Sequence, residues 1–77
     1  MIPKINITET GNNIKKLMKE CGVTPADVQL WCGFSTVQPV YHWIHGRNLP
    51  TVDNLLILSV MLHCSMESIL VYDSVQG

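Results

Sequence analysis

Apolar side chains recur along this chain at three- and four-residue intervals, and short clusters of Gly, Pro, Ser and Thr interrupt them; that rhythm predicts helices. The first predicted helix begins after Thr8, with Glu9 placed well for the helix dipole, and ends at Gly22. Its core face is Ile14, Leu17, Met18 and Cys21, spaced i, i+3, i+4, i+7. Thr24 is a natural N-cap for a second helix with Pro25 at N1, where a missing N–H costs nothing; Val28 and residues 30–32 supply its apolar surface and Gly33 ends it. A third helix must start within residues 35–37, because Pro39 is tolerated only in a first turn. With Thr36 as N-cap, Pro39 falls at N3 and Gly46 closes the segment, giving a helix within 36–46. Thr51 opens a long apolar helix, 52–63, and Ser65 caps a short one from Met66 to about Val71.

These elements predict an all-α fold, a compact five-helix bundle in one domain. Residues 1–7 form an N-terminal arm carrying Ile2, Ile5 and Ile7, residues 8–71 the helical core, and residues 72–77 a tail without a readable signal. A 77-residue chain is near the lower limit for folding on one hydrophobic core, and its 47% hydrophobic content meets that need. With only 14% charged residues, the surface is left with apolar side chains to spare, which points to a partner.

The longest apolar run, 55–58, is far too short for a membrane span or signal peptide, so the expectation is a cytoplasmic protein with no membrane partner. Cys21, Cys32 and Cys64 are odd in number, lack C-x-x-C spacing and fall where buried helix residues belong, which predicts reduced, packed thiols. Net charge is −1, unevenly spread. Lys4, Lys15, Lys16, Lys19 and Arg47 all lie in residues 1–47, against Glu9, Glu20 and Asp27; residues 48–77 carry only Asp53, Glu67 and Asp73.

Two short helices pinched at Gly33 and closed by the sequence Gly46, Arg47, Asn48, Leu49, Pro50 carry the punctuation of a helix-turn-helix. If Val40 and Trp43 face the core, the opposite side of the third helix presents Gln38, Tyr41, His42 and His45. Gln makes bidentate contacts with adenine, His and Tyr donate to base acceptors or phosphate, and Val37 near the tip suits a thymine methyl. Thr36 stands at the helix start, and Arg47 and Asn48, just past its end, suit phosphate contacts that set register. His42 and His45 with a cysteine lack the paired thiolates of a structural zinc site. The acids are scattered singly, with no Gly-rich phosphate loop and no nucleophile beside a base, so no enzyme activity, metal or cofactor is expected, and no small-molecule ligand is evident.

The order of these features resembles the Cro/repressor-type, or XRE, helix-turn-helix family. The resemblance is carried by Thr24, Val28, Gly33, Val40 with Trp43 three residues on, Gly46 and Pro50 with Thr51, then Leu55, Leu58, Leu62, Ser65 and Leu70, and it spans roughly residues 9–71. It implies a lambda-repressor-like domain that binds double-stranded DNA and acts as a transcriptional regulator of the repressor kind. Base reading is carried over to Val37, Gln38 and His42, with Tyr41 and His45 beside them.

The fourth helix holds more apolar residues than one small domain can hide. With Leu55, Leu58 and Leu62 in the core, Leu56, Ile57, Val60 and Met61 remain, and these are the expected homodimer interface. The alternative reading is a protein-interaction module on the same fold, antitoxin-like or an accessory subunit, working through that surface.

Overall fold

The computed structural model describes residues 1–75. Its elements are β1 (Ile2–Ile5), α1 (Ile7–Cys21), α2 (Pro25–Cys32), α3 (Gln38–Ile44), α4 (Val52–Met61), α5 (Met66–Ile69) and β2 (Tyr72–Val75). The five helices form at the expected places, but the fold is not purely all-α: the arm and the tail pair as a two-stranded antiparallel ribbon, Ile2 opposite Val75 and Ile5 opposite Tyr72. Residues 76 and 77 of the expected tail lie outside the described residues.

The ribbon forms because α1 fixes both strands at one end. Asn6 donates its backbone N–H to the Val71 carbonyl at 2.8 Å. The fully buried Thr10 hydroxyl donates to the Val71 carbonyl at 3.2 Å and accepts from the Val71 N–H at 2.9 Å. Asn13 donates to the Ser68 and Ile69 carbonyls at 2.9 and 3.0 Å, satisfying carbonyls at the end of α5. Residues 2–5 and 72–75 have little apolar alternation of their own, so nothing local announces this pairing.

Capping explains where most helices begin and end. α1 starts two residues earlier than expected, because extended Asn6, not Thr8, is its N-cap and accepts from the Glu9 N–H at 3.0 Å. Gly22, at φ 68°, closes it. Thr24 and Asp27 form a reciprocal capping box on α2, with Thr24 accepting from the Asp27 N–H at 3.2 Å and Asp27 accepting from the Thr24 N–H at 2.9 Å. α4 is shorter than the predicted 52–63: it ends at Met61, and His63 takes a left-handed φ of 53° that turns the chain into α5.

The core is Ile14, Met18, Val28, Val40, Trp43, Ile44, Leu55, Leu58, Met61, Leu62 and Ile69, with Leu17, Phe34 and Ile57 packed against it. Three assignments are corrected by tertiary packing. Cys21 lies at the last turn of α1, beyond the edge of the core, and is exposed, its sulfur 3.5 Å from the Leu62 carbonyl; Cys32 and Cys64 are half-buried. Leu30 and Trp31 are not core residues but stand 79% and 56% exposed, because the short α2 buries only Val28. Of the expected interface on α4, Met61 is buried and Ile57 packs on the core, since α2 and α5 both lie against α4; Leu56 and Val60 remain exposed at 55% and 56%.

Candidate nucleic-acid interface

The turn between α2 and α3 sets the exposed face of α3. Gly33 adopts φ 72° and ends α2, after which Phe34 folds back to set its ring edge-on to Trp43, centroids 5.7 Å apart. Gln29 holds this turn by donating to the Phe34 carbonyl at 3.3 Å. Thr36 is not the N-cap. Its hydroxyl accepts from the Gln38 N–H at 3.3 Å, a turn contact two residues on, so the helix begins one residue later with Val37 as N-cap and Pro39 at N2 rather than N3. Pro39 still falls in the first turn, where its missing N–H leaves no bond broken. α3 is therefore Gln38–Ile44, shorter than the 36–46 expected, with His45 as C-cap and Gly46 at φ 70°.

Val40 and Trp43 are buried as their spacing required, with Ile44 beside them. On the outer face Gln38, Tyr41 and His45 are exposed and His42 is half-buried; Val37 at the tip is half-buried, and Thr36, Arg47 and Asn48 are exposed. Tyr41 and His45, one turn apart, stack with ring centroids 5.9 Å apart and planes at 28°. His42 faces the other way, sharing a shallow concavity with Pro39, Asn48, Thr51 and Asn54. Of the eight expected residues, Tyr41 and His45 thus stand with α1, and His42 and Asn48 stand with the start of α4.

The close approach of α1 to α3 makes this arrangement possible. Gly11 lies against the last turn of α3, where a Cβ would meet the carbonyl oxygens of Trp43 and Ile44, and at Gly46 a Cβ would lie 3.0 Å from Thr8 Cα. That contact brings Lys15 and Lys19, exposed and one turn apart on α1, beside Tyr41 and His45 along a shared groove. In the sequence these lysines stand out only as part of the positive charge of residues 1–47, and their i, i+4 spacing outside the apolar stripe is the one local signal of this placement. No acidic side chain lines that groove.

The ionisable groups with shifted behaviour lie apart from the outer face of α3. The Asp27 carboxyl is held below its usual range by the backbone N–H of Thr24 first and the Thr24 side chain second. Burial pushes the Cys32 and Cys64 thiols up, and neighbouring Cys21 adds to the effect at Cys64. Among the described residues, no group of three His, Cys, Asp or Glu side chains is placed to hold a metal ion, and no helix is long and apolar enough to cross a membrane.

The restriction-modification controller protein C.AhdI from Aeromonas hydrophila has a similar solved structure. The match has a TM-score of 0.71 and covers 82% of this chain and 94% of that one at 16% identity. The two chains share a fold. C.AhdI is of the XRE type, so the family resemblance read from Thr24 to Leu70 has a structural counterpart. No family model matches this sequence, and no curated protein matches it.

Proposed function

We propose that this protein is a sequence-specific DNA-binding transcriptional regulator of the repressor kind, with α3 in the major groove. The observation that carries the reading is the outer part of α3: Gln38, Tyr41 and His45 are exposed and His42 half-buried, with Lys15 and Lys19 beside Tyr41 and His45 and Arg47 exposed beyond the C-terminus. An α-helix with its side chains is about 10–12 Å across, which a major groove about 12 Å wide admits. Gln38 and His42 contact base edges, Val37 touches a methyl at the tip, and Thr36, Arg47 and Asn48 hold phosphates. Lys15 and Lys19 join them as phosphate contacts. The controller fold shared with C.AhdI supports a regulatory rather than a catalytic role.

The protein acts as a homodimer. Val52, Leu56 and Val60 form an exposed apolar stripe at i, i+4 spacing on α4, and Trp31 of α2 adjoins Val60. Pairing this stripe with its copy in a second chain gives a self-complementary contact, and a two-fold pair of α3 helices suits half-sites one DNA turn, about 34 Å, apart. Selection from random duplexes at low salt, with mass measured in parallel, tests both statements. The expected result is an enriched, two-fold-related site bound by a dimer, with Gln38→Ala and His42→Ala weakening that site alone. Arg47→Ala should weaken all duplexes and lower the salt slope by about one. Recovery of no preferred sequence overturns the reading.

The exposure of Trp31 and Leu30, which a DNA-reading face does not use, favours one second reading: a protein-interaction module on the same fold, antitoxin-like or an accessory subunit. A stoichiometric protein partner lost with Trp31→Ser and retained with Gln38→Ala would select it.

A further inference from the structure

The groove between α1 and α3 has a composition that phosphate contacts alone do not require. Its floor is apolar, made by Met18, Val23, Pro25 and Ile44, of which Met18 and Ile44 belong to the core. One wall is the stacked pair Tyr41 and His45, and Lys15 and Lys19 stand on the rim. A DNA backbone needs the cations but not the apolar floor. A neutral hydrophobe needs the floor but leaves two ammonium groups without a counter-charge. The two together complement a molecule that is flat and apolar at one end and anionic at the other.

Size narrows the class. The groove encloses about 280 Å³, at the small end of ligand sites, which run from roughly 300 to 1,000 Å³. That volume takes one or two fused rings and is too small for a dinucleotide or a long acyl chain. Two aromatic side chains in the lining, Tyr41 and His45, favour an aromatic ring over a branched aliphatic one, and two lysines with no acid in the lining favour a carboxylate over an amine.

We propose that the α1–α3 groove binds a small aromatic carboxylate, the ring lying on Met18, Pro25 and Ile44 beside Tyr41 and the carboxylate between Lys15 and Lys19. Because Tyr41 and His45 belong to the outer face of α3, an occupied groove and a bound duplex compete for the same side chains and cations. The site stands on its own geometry; the competition rests on the DNA-binding reading.

The test is therefore made first without DNA. The full chain, labelled for amide NMR, is titrated with 1-naphthoate and, separately, with the neutral 1-naphthalenemethanol. Saturable shifts at Lys15, Lys19, Tyr41 and Ile44 are expected for the acid, with the alcohol roughly fivefold weaker, the scale of partly exposed ion pairs. The Lys15→Gln, Lys19→Gln double variant changes two exposed side chains and should remove the difference between acid and alcohol while leaving the spectrum folded. Equal binding of the two compounds, shifts centred on Trp31 and Val60, or no saturation overturns the proposal. A DNA titration with and without 1-naphthoate follows, so loss of duplex binding and loss of groove binding are read separately.

Discussion

Replacing Gly11 by alanine would place a methyl group against the backbone at the end of α3. In an ordinary helix interior the change stabilises, by about 1 kcal/mol, because alanine has less backbone freedom to lose. Here the new Cβ would meet the Trp43 carbonyl oxygen and lie 2.8 Å from that of Ile44, and both contacts are backbone, which cannot rotate away. The Trp43 carbonyl also accepts the Gly46 N–H at 3.1 Å, the bond that helps close α3, so relieving the clash strains a hydrogen bond as well. Overpacking typically costs about 1–3 kcal/mol and a weakened hydrogen bond about 1 kcal/mol. Against the helix gain, the net loss should be about 2 kcal/mol. For a domain of this size that lowers Tm by roughly 8–16 °C. Urea unfolding followed by circular dichroism measures it, with Lys16→Ala, exposed on the same helix, expected to move stability by less than about 0.5 kcal/mol. If Gly11→Ala proves as stable as the natural protein or more so, α1 does not approach α3 as described, and the grouping of Lys15 and Lys19 with Tyr41 and His45 falls with it.

Thr10→Val keeps the shape of a fully buried side chain but leaves the Val71 N–H without the hydroxyl that accepts it at 2.9 Å. Unfolding should show a loss of about 1–3 kcal/mol with faster hydrogen exchange at the Val71 amide, and Thr10→Ser, which retains the hydroxyl, should restore the slow exchange. Asp27 binds its proton less readily folded than unfolded, so its contribution to stability is complete above the ordinary carboxylate range and is lost as pH falls through its lowered value. In an acid titration monitored by circular dichroism, Asp27→Asn should remove that part of the pH dependence; an unchanged profile would contradict the capping box at Thr24.

The helices were legible because their signals are local. Gly22, Thr24, Gly33, Gly46, Thr51 and Ser65 act within a few residues, through backbone conformation and side-chain caps. The i, i+3 spacing that puts Val40 and Trp43 inside also leaves Gln38, Tyr41 and His45 exposed, whereas His42 is half-buried in a separate concavity with Pro39 and Asn54. The one-residue error at Thr36 has a local cause too, since a threonine hydroxyl serves a turn as readily as a cap.

Other features depend on residues far apart in the chain. The pairing of residues 2–5 with 72–75 is set by Thr10 and Asn6 reaching Val71, and neither strand carries a pattern strong enough to declare itself. Leu30, Trp31 and Met61 are all apolar, and only the packing of α2 and α5 on α4 decides that the first two face solvent and the third does not. Periodicity gives each helix an apolar side, but how much of it is covered depends on how closely its neighbours approach. Gly11 is the clearest case: in the sequence it is a weak helix residue, and in the fold its missing side chain lets α1 meet α3 and brings two lysines to the face where Tyr41 and His45 stand.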